Sequence, residues 1–249
     1  MLCHNKDISN GAEAKAVRVV SANDFSEEAT MQSVPPFIYI KTTQIDPSLG
    51  EFENNEGCNC EQCGDSTCPC FQSGADGNSF NYMKFCDPST CPCSSKHCVN
   101  HGTGSGENKF RLNAVLEVFF VNTQKQWGVR TKNRIGKNVY VCEYAGNLTN
   151  DNNDAQEDSY IFRLDYKKRA FMINAGSSGN VARFINHSCN PNLAAVVGIY
   201  GPREIPRLLL FSLRAIVAGE ELSISYGDEW WKAKGLDCFC GAANCRYLR

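Results

Sequence analysis

The most informative segment of this chain covers residues 183–192 and reads Arg183-Phe184-Ile185-Asn186-His187-Ser188-Cys189-Asn190-Pro191-Asn192. A buried amide or imidazole must find a hydrogen-bond partner or cost about 1–3 kcal/mol, so such a polar segment is unusual for an ordinary core. Asn186 and His187 are therefore candidate ligand-binding residues, and Cys189 is a candidate metal ligand. A capped turn between two strands is the simpler alternative, and the rest of the chain must decide between the two.

Length and composition limit the possible classes of protein. The chain has 249 residues, 42% of them hydrophobic, which is enough for one large core or two smaller ones. A formal net charge of −2 gives no broad basic surface, so we expect no direct recognition of nucleic acid. No run approaches the roughly 20 apolar residues of a membrane span, and residues 1–10 lack the apolar core of a signal peptide. We expect a soluble, intracellular monomer that makes no membrane contact.

Cysteine is the residue type that stands out, with 15 copies. An odd number of cysteines without a secretory signal argues against a disulfide framework. Closely spaced thiols in a reducing compartment are typical of zinc sites.

The larger cysteine cluster lies in residues 58–98, where aliphatic residues are few and a metal must replace an apolar core. Its nine members are Cys58, Cys60, Cys63, Cys68, Cys70, Cys86, Cys91, Cys93 and Cys98. Zinc takes four ligands in a tetrahedron, so nine thiolates fill two sites with one left over, or three sites if three sulfurs each bridge two ions. The Cys-x-Cys pairs favour the bridged arrangement, because both sulfurs can face neighbouring ions.

The smaller cluster, Cys238, Cys240 and Cys245, supplies three ligands and needs a fourth. Cys189 is the natural candidate, and its participation would bring the C-terminal segment against Asn186 and His187. The two remaining cysteines, at positions 3 and 142, are predicted to be buried or free thiols.

The rest of the chain predicts a mostly-β core. Residues 1–57 are predicted as an irregular lead-in with one strand at 35–40, and the glycine-rich residues 102–108 as a linker. Short β-prone runs follow at 112–122, 129–131, 139–142, 160–164, 171–173, 193–198, 208–213 and 221–225. Residues 181–185 are predicted as a single helical turn, and residues 227–235 as a connector.

Several motifs, taken in order, carry a resemblance to a known family. They are Trp127-Gly128-Val129-Arg130, Cys142-Glu143-Tyr144-Ala145-Gly146, Ser159-Tyr160-Ile161-Phe162, residues 183–192, and Glu220-Glu221-Leu222-Ser223-Ile224-Ser225-Tyr226-Gly227. With both cysteine clusters, the chain resembles the pre-SET, SET and post-SET module of histone-lysine methyltransferases, closest to the class that modifies lysine 9 of histone H3. The likeness runs from about Asp7 to Arg249.

The resemblance implies a fold and a division of the chain. The expected fold is mostly β, a set of small curved sheets with a pseudoknot in which the C-terminal segment threads under a loop. Residues 1–57 would begin the pre-SET region, 58–101 would form its three-zinc cluster, 110–227 the SET domain and 228–249 a post-SET tail with a fourth zinc.

The resemblance also implies a cofactor, S-adenosylmethionine, and the residues that bind it. These are Lys125, Gln126, Trp127, Gly128, Tyr160, Arg183, Asn186, His187 and Phe239, the last lying over the adenine. The expected substrate is a histone H3 tail, which places the protein on chromatin in the nucleus.

Tyr226 is the expected catalytic residue. Methyl transfer needs a neutral amine, whereas a free lysine has a pKa of about 10.4. A narrow apolar channel disfavours the ammonium by desolvation, and a tyrosine hydroxyl with backbone carbonyls can aim the lone pair at the methyl group. Trp230 and Trp231 are predicted either to cover this channel or to pack the post-SET tail.

The sequence departs from the family pattern at four positions. Gln126 replaces a glycine, and Asn147 replaces a glutamate. Arg163 stands where relatives carry an acid that receives a histone arginine. Ile224 replaces Phe or Tyr two positions before the catalytic tyrosine, which predicts di- or trimethylation. The alternative hypotheses are a catalytically weak SET scaffold that binds histone tails or chromatin partners, and a zinc-based nucleic-acid module, which the acidic balance disfavours.

Overall fold

The fold consists mainly of short β-strands. It comes from a computed structural model that describes residues 6–20, 34–50, 52, 82–85, 112–150, 159–200 and 205–247. Within these ranges the strands are β1 Arg18–Val20, β2 Ile38–Tyr39, β3 Gln44–Ile45, β4 Tyr82–Phe85, β5 Leu116–Asn122, β6 Gln126–Thr131, β7 Tyr140–Glu143, β8 Asn147–Asn150, β9 Ile161–Tyr166, β10 Arg169–Asn174, β11 Ser178–Gly179, β12 Asn186–His187, β13 Leu193–Tyr200, β14 Ile205–Ser212 and β15 Ser223–Ile224. An α-helix, α1, covers Asp228–Lys234, and 3₁₀ turns cover Pro47–Leu49 and Val181–Phe184.

The strands form five small sheets. Their orders are β1-β5-β6, β3-β8-β10-β9, β11-β2, β12-β15 and β4-β13-β14-β7. The predicted strands of the region from residue 112 onwards, and the helical turn at 181–185, are therefore confirmed. The nine-cysteine cluster, Cys3 and the linker at 102–108 lie outside the described residues.

Antiparallel hairpins build the two largest pairings. β13 and β14 are rich in β-branched and leucine residues and pair over eight positions, from Leu193 opposite Ser212 to Tyr200 opposite Ile205. β5 and β6 are joined by a turn in which the Asn122 side chain accepts hydrogen bonds from the backbone N–H groups of Gln124 and Lys125. This turn carries the first of the predicted cofactor residues.

The N-terminal segment is more ordered than the irregular lead-in that the sequence predicts. β1 pairs in parallel with β5, so residues 18–20 extend a sheet of the core. The Asp7 carboxylate closes the preceding loop by accepting hydrogen bonds from the backbone N–H groups of Ser9, Gly11 and Val17. The prediction failed because this strand is only three residues long and its partner lies about 100 residues away in sequence.

The C-terminal segment is held from two sides, as the predicted pseudoknot requires. On one side β15 pairs in parallel with β12, residues 186–187 lying opposite 223–224. On the other side, the N–H of Leu222 donates to the carbonyl of Val129 on β6 at 2.7 Å. The Asn192 side chain adds a cross-link by donating to the carbonyl of Glu221 at 2.8 Å.

Residues 228–234 form a helix, where the sequence analysis predicts a connector. Gly235 ends the helix in the left-handed conformation, with φ +59°, and donates its N–H to the carbonyl of Trp231 at 3.0 Å. Acidic residues occupy the first turn and lysines the last, which suits the helix dipole. Within the described residues, no helix combines the length and apolar character that a membrane crossing requires.

Candidate active site and metal site

Four cysteines form a compact cluster. The sulfur atoms of Cys189, Cys238, Cys240 and Cys245 all lie within 4.8 Å of one another. Backbone groups support two of them, because the N–H of Cys189 donates to the Cys240 sulfur at 3.5 Å and the N–H of Arg246 donates to the Cys189 sulfur at 3.4 Å. Four thiolates at this spacing match the tetrahedral ligand set that zinc prefers. These residues therefore fit a zinc ion.

Aromatic side chains shield this cluster. Trp231 is buried, and its ring stacks on that of Tyr247 at a centroid distance of 5.0 Å. The Tyr247 hydroxyl donates to the carboxylate of Asp228. The ring stack and this hydrogen bond therefore both join the helix α1 to the C-terminal tail.

His187 lies between the cysteine cluster and Tyr226. Its Nδ1 accepts a hydrogen bond from the backbone N–H of Tyr226 at 3.1 Å, and its Nε2 lies 3.3 Å from the Cys189 sulfur. Burial, and then the nearby Arg246 guanidinium, lower the pKa of His187 to about 4. Both ring nitrogens are engaged within the protein, which leaves only main-chain atoms of His187 for the predicted cofactor contact.

Tyr226 follows β15 and lies over the Asn186–His187 corner. Its hydroxyl donates to the carbonyl of Ile185 at 3.0 Å, and its ring lies 5.4 Å from that of His187. Burial, with the neighbouring Tyr160 and Glu221, raises the pKa of the Tyr226 hydroxyl above its usual value. The side chain is therefore a neutral phenol at pH 7, able to donate and accept hydrogen bonds but not to act as a phenolate base.

A cavity of about 540 Å³ opens beside Tyr226. Its walls are mainly apolar and aromatic. They include Tyr144, Phe162, Ile185, Ile224, Tyr226 and Trp230. A charged side chain entering this cavity would lose water on several sides, which favours a neutral or long aliphatic occupant.

Arg183 is a buried cation at the wall of this cavity. It is 5% exposed, and its guanidinium donates to the carbonyls of Ala175 at 2.9 Å and Gly176 at 3.1 Å. The same group lies 4.0 Å from the centre of the Tyr160 ring. Its Nη1 atom has no hydrogen-bond partner among the described residues. Burial lowers the pKa of this guanidinium, which nevertheless remains charged at neutral pH.

The turn at Lys125–Gly128 is tied to Asn186 by a carboxylate. Glu221 accepts from Lys125 Nζ at 2.6 Å through one oxygen and from Asn186 Nδ2 at 3.1 Å through the other. The same Asn186 nitrogen donates to the carbonyl of Trp127 at 3.0 Å. This network leaves the amide oxygen of Asn186 as its remaining acceptor.

Gly128 and Gln126 show how closely this turn is packed. A Cβ atom at Gly128 would lie 2.7 Å from Val121 Cγ2, 3.0 Å from a Glu221 oxygen and 3.1 Å from Asn186 Nδ2. A side chain there would therefore displace the network before it met any ligand. Gln126 has φ +58°, the left-handed conformation that glycine adopts at little cost, which agrees with the glycine of the family pattern at this position.

Apart from His187, described above, the predicted cofactor residues thus fall into two groups and one outlier. The turn and Asn186 form one group, and Tyr160 with Arg183 forms the second. Phe239 lies between two cysteines of the cluster with 53% of its side chain exposed. An exposed phenylalanine held beside a metal site is suited to cover a bound ring.

The sequence alone did not settle the role of three residues of the site. Glu221 lies in a quoted motif, but its partners come from distant segments. From the sequence, Tyr144 fits sheet packing and a channel wall equally well, and the structure places it in the cavity wall with its hydroxyl donating to the carbonyl of Tyr160 at 3.0 Å. Trp230 lines the cavity and meets the Tyr226 ring at 5.0 Å, whereas Trp231 packs the tail.

Comparison with known proteins agrees with this architecture. Residues 126–227 match the family model of the SET domain. The chain is 36% identical over 265 residues to the mouse (Mus musculus) protein histone-lysine N-methyltransferase EHMT1, a match that covers 98% of this chain and 20% of that protein. It is 31% identical over 300 residues to the Arabidopsis thaliana protein histone-lysine N-methyltransferase, H3 lysine-9 specific SUVH4, covering 97% of this chain and 46% of that one.

A solved structure shows the same fold. KRYPTONITE, in complex with mCHH DNA, an H3(1-15) peptide and SAH, superposes with a TM-score of 0.76 at 32% identity, covering 99% of this chain and 53% of that one. Residues 126–227 therefore form a SET domain. The chain is similar over nearly its whole length to proteins named as histone-lysine N-methyltransferases, one of them named as specific for lysine 9 of histone H3. It spans a fifth of the mouse relative and less than half of the Arabidopsis relative.

Proposed function

We propose that this chain is the catalytic module of a protein-lysine N-methyltransferase that modifies a histone H3 tail, with lysine 9 as the target. The observation that carries the proposal is the apolar cavity that reaches Tyr226, whose hydroxyl is fixed on the carbonyl of Ile185. A lysine side chain has the length and the aliphatic character to fill such a cavity.

S-adenosylmethionine, when bound, would supply the methyl group from its sulfonium. We assign its binding to the Lys125–Gly128 turn, Asn186, the main chain of His187, the Tyr160–Arg183 pair and Phe239. The amide oxygen of Asn186 is oriented as an acceptor, because its nitrogen already donates to Trp127 and Glu221. Such an acceptor suits the ammonium group of an amino acid.

The chemistry that the residues themselves perform is positioning. The Tyr226 hydroxyl donates its proton to the Ile185 carbonyl, so the phenol oxygen presents lone pairs to an N–H of the substrate amine. That contact orients the amine's own lone pair along the cavity. The apolar walls and the buried Arg183 cation both disfavour the ammonium form, so the amine gives its proton to solvent before transfer.

A peptide substrate is supported by the position of β9. In the part of the chain that the structure describes, β9 has a strand neighbour only on its β10 side. Its residues Ile161, Phe162 and Arg163 also line the cavity. An extended peptide can add to such an edge by main-chain hydrogen bonds and insert one side chain into the adjacent cavity. Ile224, buried in the cavity wall, leaves no hydroxyl there to hold a water, so we infer di- or trimethylation.

The metal content is part of the same proposal. We assign one zinc to the four-cysteine cluster and three to the nine cysteines of residues 58–98, with 58–101 as the pre-SET region, 110–227 as the SET domain and 228–249 as the post-SET tail. The resemblance to chromatin enzymes supports a location on chromosomes in the nucleus. The replacement of a family glycine by Gln126 is one reason to consider a catalytically weak scaffold, but Gln126 adopts the left-handed conformation that a glycine accepts, which weakens that alternative.

The proposal is tested by measuring cofactor affinity and methyl transfer on the zinc-loaded chain. Calorimetry should detect binding of S-adenosylmethionine, and tritiated methyl transfer should label an H3(1–15) peptide but not the same peptide with lysine 9 replaced by arginine. Cofactor binding without transfer to any histone peptide would favour the scaffold. No cofactor binding at all would refute the enzyme.

A further inference from the structure

His187 contacts both the four-cysteine cluster and Tyr226. On one side its Nε2 lies 3.3 Å from the sulfur of Cys189, a member of the metal cluster. On the other side its Nδ1 accepts from the main chain of Tyr226 at 3.1 Å. The cluster and the proposed catalytic residue are therefore one imidazole ring apart.

Geometry fixes the proton on this ring. Nδ1 accepts a backbone N–H and so carries no proton of its own. A ring with an unprotonated Nδ1 has its proton on Nε2, which points at the Cys189 sulfur. The result is an Nε2–H group donating to a sulfur that, in a zinc site, is a thiolate. One nitrogen donates toward the metal site while the other accepts from Tyr226.

Packing holds the ring in this orientation. His187 is 6% exposed and meets the ring of Trp231 at 4.8 Å and that of Tyr247 at 5.8 Å. Its main chain is fixed by the β12–β15 pairing. The ring therefore has little freedom to exchange its two partners.

We propose that His187 is a positioning residue that couples occupancy of the four-cysteine metal site to the placement of Tyr226. The ring is held between the Cys189 sulfur and the Tyr226 N–H, so a shift of that sulfur on metal loading moves the ring and, through Nδ1, the main chain of Tyr226. With the ring so held, the Tyr226 hydroxyl stays on the Ile185 carbonyl. The functional meaning of this coupling rests on the proposed role of Tyr226, but the coupling itself does not.

Two substitutions of His187 remove its hydrogen bonds to Cys189 and to Tyr226 one at a time. An asparagine amide reaches about as far as Nδ1 of histidine, and a glutamine amide about as far as Nε2. His187→Asn can accept from Tyr226 but cannot reach Cys189, whereas His187→Gln can donate to Cys189 but cannot accept from Tyr226. His187→Phe keeps the ring contacts and removes both hydrogen bonds.

The test measures zinc release to a chromogenic chelator and steady-state methyl transfer for these variants of the full chain. We expect zinc to leave about tenfold faster from the Asn variant and at the wild-type rate from the Gln variant. We expect kcat to fall about tenfold or more in the Gln variant, with a smaller loss in the Asn variant and unchanged KM for the cofactor in both. The Phe variant should show both defects. Equal losses in all three variants would overturn the proposal in favour of a general packing role.

A direct measurement on the unmodified chain avoids any folding defect of a variant. ¹H–¹⁵N NMR of the imidazole nitrogens should show a neutral Nε2–H ring for His187 in the zinc-loaded protein. Selective removal of zinc from the four-cysteine site should change both these signals and the main-chain amide signal of Tyr226. An Nδ1–H ring, or a Tyr226 amide that ignores zinc removal, would contradict the coupling. These results do not depend on methyl transfer, so they can fail while the proposed function stands, and the reverse.

Discussion

Most of the expected chemistry depends on the hydroxyl group of Tyr226. Because that group donates to Ile185 and has a raised pKa, it acts through its position rather than by removing a proton. Tyr226→Phe should lower kcat by at least about 100-fold, the usual effect of removing one well-placed polar group from an active site. The dissociation constant of the cofactor should change by less than about twofold, because Tyr226 is not among the assigned cofactor residues.

The matched control for this variant is Tyr39→Phe. Tyr39, on β2, does not line the cavity and donates its hydroxyl to Glu13, so this variant tests the effect of removing a tyrosine hydroxyl elsewhere. Single-turnover transfer to a histone peptide is the measurement for both variants. Near-normal turnover in Tyr226→Phe would remove the residue from its assigned role.

Glu221 holds the Lys125–Gly128 turn, to which we assign cofactor binding, by its contacts with Lys125 and Asn186. Replacing it by glutamine keeps its shape but weakens the ion pair with Lys125 and permits the Asn186 amide to rotate. We expect Glu221→Gln to bind S-adenosylmethionine about three- to tenfold more weakly by calorimetry, with kcat at saturation little changed. Glu117→Gln, which removes a carboxylate that pairs with Arg130 outside the site, should bind the cofactor normally. A fall in kcat alone would place Glu221 in the chemical step instead.

The β9–β10 hairpin carries conformational strain that can be relieved. Its two-residue turn, Lys167 and Lys168, has φ values of +48° and +61°, the pattern of a turn that favours asparagine followed by glycine. Replacing the pair by Asn-Gly should raise the free energy of unfolding by about 1–2 kcal/mol, measured by chemical denaturation. Lys168→Ala retains the strained φ and should give no gain. A double variant of unchanged or lower stability would show that the turn is not under strain.

Local sequence patterns predicted these elements unevenly. The long alternating strands and the 181–185 turn were predicted because their signals lie within a few residues. β1 and β12 were missed as strands because each has three residues or fewer and pairs with a distant partner. The helix α1 was missed because seven residues between two glycines are too short to show a helical period. Glu221 could not be assigned a role for the same reason that β12 was missed. Its partners, Lys125 and Asn186, lie on distant segments, and local sequence does not show that these segments meet.

The cysteine cluster was the opposite case. The spacing at 238–245 supplied three ligands, and the arithmetic of zinc coordination demanded a fourth, which pointed to Cys189 across about 50 residues. The structure brings those four sulfurs together. The number of ligands that a zinc ion needs can be compared with the cysteines in a sequence. The hydrogen-bond partners of a carboxylate cannot be read from a sequence in this way.

At the level of the whole molecule, we expect bound zinc to stabilise the C-terminal segment. A strong chelator should release about four zincs per chain, one of them from the four-cysteine cluster, as counted by elemental analysis. Loss of that ion should expose residues after α1 to protease and abolish cofactor binding, because Phe239 is held by its neighbouring cysteines.

Two cysteine variants sharpen this measurement. Cys238→Ser should lower the count by about one zinc. Cys142→Ser should leave the count unchanged, because Cys142 is fully buried and lies outside the cluster. A native count of about one zinc would contradict the predicted pre-SET cluster, and a Cys238→Ser protein with the full count would contradict the proposed C-terminal site.

The parallel pairing of β12 with β15 has a consequence for biosynthesis. Residues 183–192 emerge from the ribosome well before the strand at 223–224 and the sulfurs at 238–245 that complete their surroundings. In a nascent chain, Asn186 and His187 therefore lack these partners. A stalled or truncated translation product that stops short of residue 245 should be inactive, even if its earlier sheets have folded. Under the proposed function, the catalytic site can therefore form only after residue 245 has been synthesised.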